Sequence, residues 1–136
     1  MTSLASVLAD PARAAVLQVA PEASVADVER AVIAAGGRFA LVESEGAADK
    51  AAVMESFAEG LDLPDWFGRN LDALVDSLND VGVDDAPTVV LWDRPDAFEA
   101  GDPEQYAQVL DILAERAGDL RLPRLVALIR RELRVG

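Results

Sequence analysis

The chain has 136 residues, about the length of one domain, and 51% of them are apolar, which predicts a folded core and not a disordered chain. Its 25 acidic and 12 basic residues give a formal net charge of −13, which disfavours binding to nucleic acid or anionic membranes and favours basic proteins as partners. Because the chain has no Cys and no His, disulfides, cysteine-bound zinc and catalytic centres with a histidine base are excluded.

The first elements along the chain are predicted to be a strand and a helix. Residues 14–19 (AAVLQV) form the predicted strand, which Pro21 ends. Ser24 then begins SVAD, a variant of the capping box in which Asp replaces the usual Glu or Gln. The helix that starts there is predicted to end near Ala35, before the glycine pair at 36–37.

No targeting or membrane segment is predicted. The N-terminal stretch lacks a basic start, and Asp10 and Pro11 interrupt its short apolar run, which is unlike a signal peptide. No apolar run reaches the roughly 18–20 residues that a membrane-spanning helix needs. We therefore expect a cytoplasmic protein that does not bind membranes.

The middle of the chain is predicted to contain a strand, a helix and a turn. Residues 38–42 (RFALV) form the strand, and residues 47–59 form the helix, with Gly60 as its stop. Residues 64–68 follow as a turn that holds the aromatic side chain of Trp66.

Residues 71–80 predict a helix with two contrasting faces. The apolar residues recur at helical spacing and form one stripe: Leu71, Leu74, Val75 and Leu78. Carboxylates recur at every fourth position and lie within about 80° of each other on a different face: Asp72, Asp76 and Asp80. Like charges at this spacing cost an isolated helix ~0.2–0.5 kcal/mol per pair. Because no Lys or Arg interleaves, this face is a candidate for contact with a positively charged partner.

The last elements are predicted to be a buried strand, a helix and a further strand. Residues 88–92 (TVVLW) read as a strand covered on both faces, with Trp92 packed in the core. Asp102 and Pro103 cap and open a helix that reaches about residue 117. Residues 122–129 are a final apolar run, in which Pro123 places the hydrogen bonds of the strand ladder after the first residues. Alternating strands and helices favour an α/β fold with a small parallel sheet, although the strand order cannot be read from the pattern.

The predicted core combines apolar side chains of strands and helices. It comprises Phe39, Leu41, Val89, Val90, Leu91, Val126 and Leu128 from strands, and Leu71, Leu74, Leu78, Val109, Ile112 and Leu113 from helices. Beyond residue 120 the chain carries five arginines against one glutamate: Arg121, Arg124, Arg130, Arg131 and Arg134, with Glu132. We expect this basic end to be an ordinary solvated terminus, with electrostatic capping of the domain and docking of a second partner as the alternatives.

Residues 63–78, LPDWFGRNLDALVDSL, resemble the central motif of the barstar family of ribonuclease inhibitors. That motif consists of Leu-Pro, an aromatic pair, Gly, a variable residue, Asn-Leu-Asp-Ala-Leu and an acidic residue. The order of elements from Arg38 to about Ile129 also resembles the family's three-stranded parallel sheet flanked by helices. Residues 1–37 lie outside the resemblance, and we expect them to add a strand and a helix to a single barstar-like domain that spans residues 1–136.

The resemblance implies an intracellular inhibitor that blocks the active site of a basic secreted ribonuclease of the barnase type. One inhibitor molecule binds one enzyme molecule. A carboxylate held on a rigid helix mimics a phosphate and accepts paired hydrogen bonds from a guanidinium. Such a protein is not an enzyme and needs neither a cofactor nor a metal ion. We expect it to be a monomer when free.

The resemblance also implies which residues touch the partner. Asp76 aligns with the family's deepest acidic anchor, whose carboxylate stands where a substrate phosphate sits, and Asp72 aligns with an acidic contact one turn earlier. Trp66 aligns with an aromatic residue that packs against the catalytic rim of the enzyme. Further contacts align with Gly68, Asn70 and Glu115.

Two positions of the predicted interface depart from the family pattern. Val75 stands where the best-known members have Trp, and Asp80 stands where they have Gly. Both departures leave the identity of the partner open between a different ribonuclease and a different basic toxin. The alternative function is therefore a barstar-fold interaction or immunity module for a different basic toxin or regulator, without ribonuclease inhibition.

A metal-dependent hydrolase is a third possibility for an acidic chain of this kind. Four carboxylates are the candidate ligands of a hard cation: Asp62, Asp65, Asp72 and Asp76. Their spacing matches no dedicated calcium loop, and we predict no metal site.

Overall fold

The computed structural model describes residues 16–20, 22–64, 68, 70–83 and 85–131. Within these ranges strands and helices alternate. In chain order they are β1 (Val16–Val19), α1 (Val25–Ala34), β2 (Arg38–Glu43), α2 (Lys50–Gly60), α3 (Leu71–Asn79), β3 (Thr88–Asp93), α4 (Asp96–Gly101), α5 (Pro103–Gly118) and β4 (Leu125–Arg130). None of the described helices is both long and apolar enough to cross a membrane.

The four strands form one parallel sheet in the order β1-β4-β3-β2. Val90 illustrates the register, because it lies between Ala40 of β2 and Ala127 of β4. The two central strands, β3 and β4, are apolar and almost entirely buried, as expected for parallel strands covered on both faces. The predicted α/β fold, with a parallel sheet and an additional N-terminal strand, is confirmed.

Helices cover both faces of the sheet. On one face Val28 and Val32 of α1 pack against a set of strand residues: Val89, Leu91, Val126 and Leu128. On the other face the remaining helices pack around Val90 and Trp92. This division follows from the alternation of side chains along a strand, which sends neighbouring residues of β3 to opposite faces. The unit formed by β1 and α1 thus covers a face that α2–α5 leave open.

Capping residues explain where several helices begin. Ser24 forms the predicted capping box of α1 with Asp27. Helix α2 begins at Lys50, later than expected, because Asp49 is its N-cap and accepts a hydrogen bond from the Ala52 amide at 2.9 Å. It ends at Gly60, within one residue of the predicted end.

Two further expectations differ from the structure. The short helix α4 was not predicted, since six residues are too few to show a helical period. β4, by contrast, begins at Leu125, beyond Pro123, as the missing amide hydrogen of that proline predicts. Part of the predicted core is only half-buried, namely Phe39, Leu41, Leu71 and Ile112. Trp92, by contrast, is fully buried, and its Nε1 donates to Ser44 Oγ at 2.9 Å.

The prediction of a solvated basic terminus is wrong for Arg130 and Arg131, whereas the side chain of Arg121 is 90% exposed. Arg130 and Asp93 form an ion pair at 2.9 Å with only 13% and 8% of their side chains exposed. Arg131 pairs with Glu99. Arg121 Nε and Nη2 each donate to Asp119 at 3.0 Å, and these bonds lower the pKa of that carboxyl group. These positive charges are thus engaged within the chain itself. Arg134 and Glu132 lie outside the described residues.

Candidate partner-binding face

The acidic helix α3 is fixed at its start by Asn70. The Asn70 Oδ1 atom accepts a hydrogen bond from the Ala73 amide at 2.8 Å, which is the N-cap of the helix. Its Nδ2 atom donates to the carbonyl oxygen of Gly68 at 3.2 Å and ties the preceding loop to the first turn. A Cβ at position 68 would lie 3.2 Å from that same Nδ2, so the contact favours glycine there. Asn70 and Gly68 are both exposed.

The opposite side of α3 is anchored in the core. Leu74 and Leu78 have no exposed surface, and they lie in the same apolar cluster as Val109 and Leu113 of α5. Burying a leucine side chain stabilises a fold by about 1.5–3 kcal/mol. The predicted apolar stripe therefore determines which face of α3 remains in solvent.

The C-terminus of α3 is held by Arg116, a buried arginine of α5. Its Nε donates to the carbonyl oxygen of Leu78 at 2.7 Å. Its Nη2 donates to the carbonyl oxygens of Val81 and Pro123 at 2.7 and 2.9 Å. The last carbonyls of a helix lack partners within the helix and carry partial negative charge, so a guanidinium stabilises them. Burial of Arg116, which is 3% exposed, lowers its pKa below the usual value.

The role of Arg116 was not predicted, although the sequence contains a signal for it. Tyr106, Val109 and Leu113 form the buried stripe of α5, and Arg116 continues that stripe at the same helical spacing. A charged residue at a core-facing position indicates a buried polar partner. Here the partners are backbone carbonyls, which leave no trace in the sequence.

The carboxylates of α3 face solvent, as predicted. Asp72 and Asp76 are exposed, and neither forms an ion pair with any residue that the structure describes. Asp80 is also exposed, but α3 ends at Asn79, so Asp80 is the C-cap and not a helical residue. A negative side chain at a helix C-terminus is unfavourable by about 0.3–1 kcal/mol. Its presence there needs a reason other than the stability of the helix.

A cleft of about 290 Å³ between α3 and α5 brings together two of the predicted contact residues. Val75 and Glu115 both line it, together with Ile112, Asn79 and Arg121. Val75 is half-buried and Glu115 is exposed. The cleft therefore combines an apolar floor with a charged rim of Glu115, Asp119 and Arg121, beside the acidic face of α3, and Glu115 has no ion-pair partner among the described residues.

Two of the predicted residues lie outside the described part of the chain, namely Trp66 and the candidate metal ligand Asp65. Within the described part, no group of three or more acidic side chains lies close enough to hold a metal ion. Contact of the predicted site residues with a partner remains a prediction.

Comparison with known proteins adds a family and a fold. Residues 37–129 match the family model described as "Barstar (barnase inhibitor)". No curated protein matches the chain. Among solved structures the chain is similar to one described as "Structure of Drosophila ORC bound to DNA", with a TM-score of 0.60 and 16% identity. That match covers 96% of this chain and 36% of the other, so the chain spans about a third of that protein's length. At this identity the likeness shows the fold alone.

Proposed function

The chain belongs to the barstar family, and we propose that it is a stoichiometric inhibitor of a basic secreted ribonuclease of the barnase type. The family is described by its inhibition of barnase, and its members are inhibitors and not enzymes. In this proposal α3 and the loop before it fill the active site of the ribonuclease and exclude RNA. The protein acts inside the cell, as a monomer that binds one enzyme molecule.

The observation that carries the proposal is the exposed acidic face of α3. Asp72 and Asp76 have no ion-pair partner among the described residues, whereas arginines elsewhere in the chain are engaged by its own carboxylates. A ribonuclease must hold a polyanionic backbone, so its cleft concentrates Arg and Lys. Carboxylates that have no ion-pair partner in the described part of the chain meet that cleft without first breaking an ion pair there.

The geometry of α3 also supports the proposal because the helix is held at both ends. Asn70 caps its start, and Arg116 binds the carbonyl of Leu78 near its end. A rigid helix loses little conformational freedom on binding, which leaves more of the interaction energy as affinity. Asp72 and Asp76 lie about one turn, or ~6 Å, apart along the axis, so they offer two fixed acceptors for guanidinium groups.

A titration of barnase tests the proposal. Barnase is mixed with increasing amounts of the purified chain, and the rate of RNA cleavage is measured. We expect activity to fall linearly and to vanish near one equivalent. Cleavage that persists in the presence of a large excess of folded chain would contradict the proposal. If the chain then still bound barnase, the alternative of an interaction module without ribonuclease inhibition would replace it.

A further inference from the structure

A second groove, distinct from the cleft between α3 and α5, lies at the amino-terminal end of the sheet. It has a volume of about 450 Å³. The starts of β2 and β3 form one side, with Arg38, Phe39, Ala40 and Thr88. The end of α3 and the chain after it form the other side, from Ser77 and Asp80 to Val83. Residues 60–64 line the rest of the groove.

The groove is apolar inside and mainly acidic at its rim. Its apolar side chains are half-buried and thus still accessible: Phe39, Leu61, Leu63, Val81 and Val83. Among the described residues that line the groove, the exposed carboxylates of Asp62 and Asp80 stand at the rim against the exposed guanidinium of Arg38. Neither carboxylate forms an ion pair with another described residue.

The segments that line the groove are held firmly in place. Helix α2 ends at Gly60, where a Cβ would collide with the carbonyl oxygen of Leu41, so the helix end directly contacts β2. The Leu63 amide donates to the carbonyl oxygen of Ala58 at 2.8 Å. On the other side, Arg116 binds the carbonyl of Val81. The groove is therefore preformed and does not need to be ordered by a ligand.

The groove is continuous with the acidic face of α3. Asp80 belongs to both, and it lies about 6 Å along the helix from Asp76. A partner that covers Asp76 therefore reaches the groove within one further turn.

We propose that this groove extends the interface with the ribonuclease and receives an apolar side chain of that enzyme. A Lys or Arg of the enzyme, next to this apolar side chain, pairs with Asp80. This inference rests on the proposed function. Two acidic groups against one basic group at the rim suit a basic partner, and accessible apolar side chains inside suit an anchor residue. The groove also gives a reason for a carboxylate at the C-cap of α3, where the helix dipole disfavours it.

Val83 provides the sharpest test because its side chain lines the groove but belongs to neither apolar core cluster of the described residues. Val83→Ser removes apolar contact surface without changing the charge. With barnase as the probe, we expect dissociation to become about ten-fold faster, while the association rate and its salt dependence stay unchanged. Ile33→Ser is the matched control, since Ile33 is 62% exposed on α1, a helix on the opposite face of the sheet, and it should leave both rates unchanged.

Hydrogen exchange of the unmodified chain with and without barnase gives an independent measurement. We expect protection of backbone amides in residues 38–40, 61–63 and 81–83 in addition to α3. The inference would be overturned if the Val83→Ser variant dissociated from barnase as slowly as the Ile33→Ser variant, or if the amides of the groove were not protected. The proposed function would still stand in either case, provided that the unmodified chain inhibited barnase. Failure of the unmodified chain to inhibit barnase would instead contradict the proposed function itself.

Discussion

Arg116 Nε donates to the carbonyl oxygen of Leu78 at 2.7 Å and so joins α5 to the last turn of the acidic helix. With the two further bonds of its guanidinium, this buried cation holds α3 in the orientation that exposes its carboxylates. Together with the buried Leu74 and Leu78, Arg116 thus contributes both to the stability of the core and to the presentation of the acidic face.

Replacement of Arg116 by Met is expected to lower the free energy of unfolding by about 3 kcal/mol. The methionine keeps an apolar stem of similar length but leaves the carbonyls of Leu78, Val81 and Pro123 without their donors. Urea unfolding followed by circular dichroism measures the loss. Arg121→Met is the control, because Arg121 is 90% exposed and its replacement should leave the free energy of unfolding nearly unchanged. Equal stability of the two variants would contradict the role assigned to Arg116.

Replacement of Asn70 by Ala should destabilise the protein by about 1 kcal/mol, because the first turn of α3 loses its N-cap. Asn70→Ser keeps a side-chain acceptor for the Ala73 amide and should retain most of the stability. Comparison of their urea midpoints separates the cap from any direct contact with the partner. If both variants bound the ribonuclease equally weakly but only Asn70→Ala were less stable, Asn70 would also be a direct contact residue.

Replacement of Val32 by Ala should cost about 2 kcal/mol of stability and leave inhibition unchanged. Val32 is fully buried between α1 and the sheet, on the face opposite to α3. The neighbouring substitution Ile33→Ala removes an exposed side chain and should have little effect on the melting temperature. A marked loss of inhibition by folded Val32→Ala protein would show that the α1 face takes part in binding.

The association rate with barnase is expected to fall steeply as the salt concentration rises, because the chain carries a net charge of −13 and the partner is basic. The barnase–barstar pair is itself an established example of such steering, so this expectation derives from the family. Stopped-flow fluorescence at several sodium chloride concentrations measures the rate. A rate independent of salt would exclude electrostatic steering by α3.

The sequence predicted helices and strands best where one hydrophobic pattern extends over the whole element. The alternating faces of α3 and the apolar run of β3 are strong patterns, and both elements lie where they were expected. The helix α4 is too short for such a pattern, and the order of the strands depends on pairings between distant residues. Neither is encoded in a local period.

The candidate site was predictable to the extent that it lies on one helix. The exposure of Asp72 and Asp76 follows from the burial of Leu74 and Leu78 on the other side of α3. Two features could not be predicted from a motif, because they depend on how separate helices and strands pack. They are the cleft lined by Val75 and Glu115 and the groove beside Asp80. The carbonyl partners of Arg116 could not be predicted either, because they too are brought together only by the packing of separate elements.

The most direct test of the central claim compares Asp76→Ala with Glu29→Ala in the titration of barnase. Glu29 is an exposed carboxylate on α1, which packs on the opposite face of the sheet, so its replacement removes a surface charge far from the proposed anchor. Loss of one partner of a desolvated charge pair costs about 2–5 kcal/mol, so Asp76→Ala should weaken inhibition at least about 100-fold, whereas Glu29→Ala should change it less than about three-fold. Equal inhibition constants for the two folded variants would contradict the claim that α3 presents its carboxylates to the ribonuclease active site.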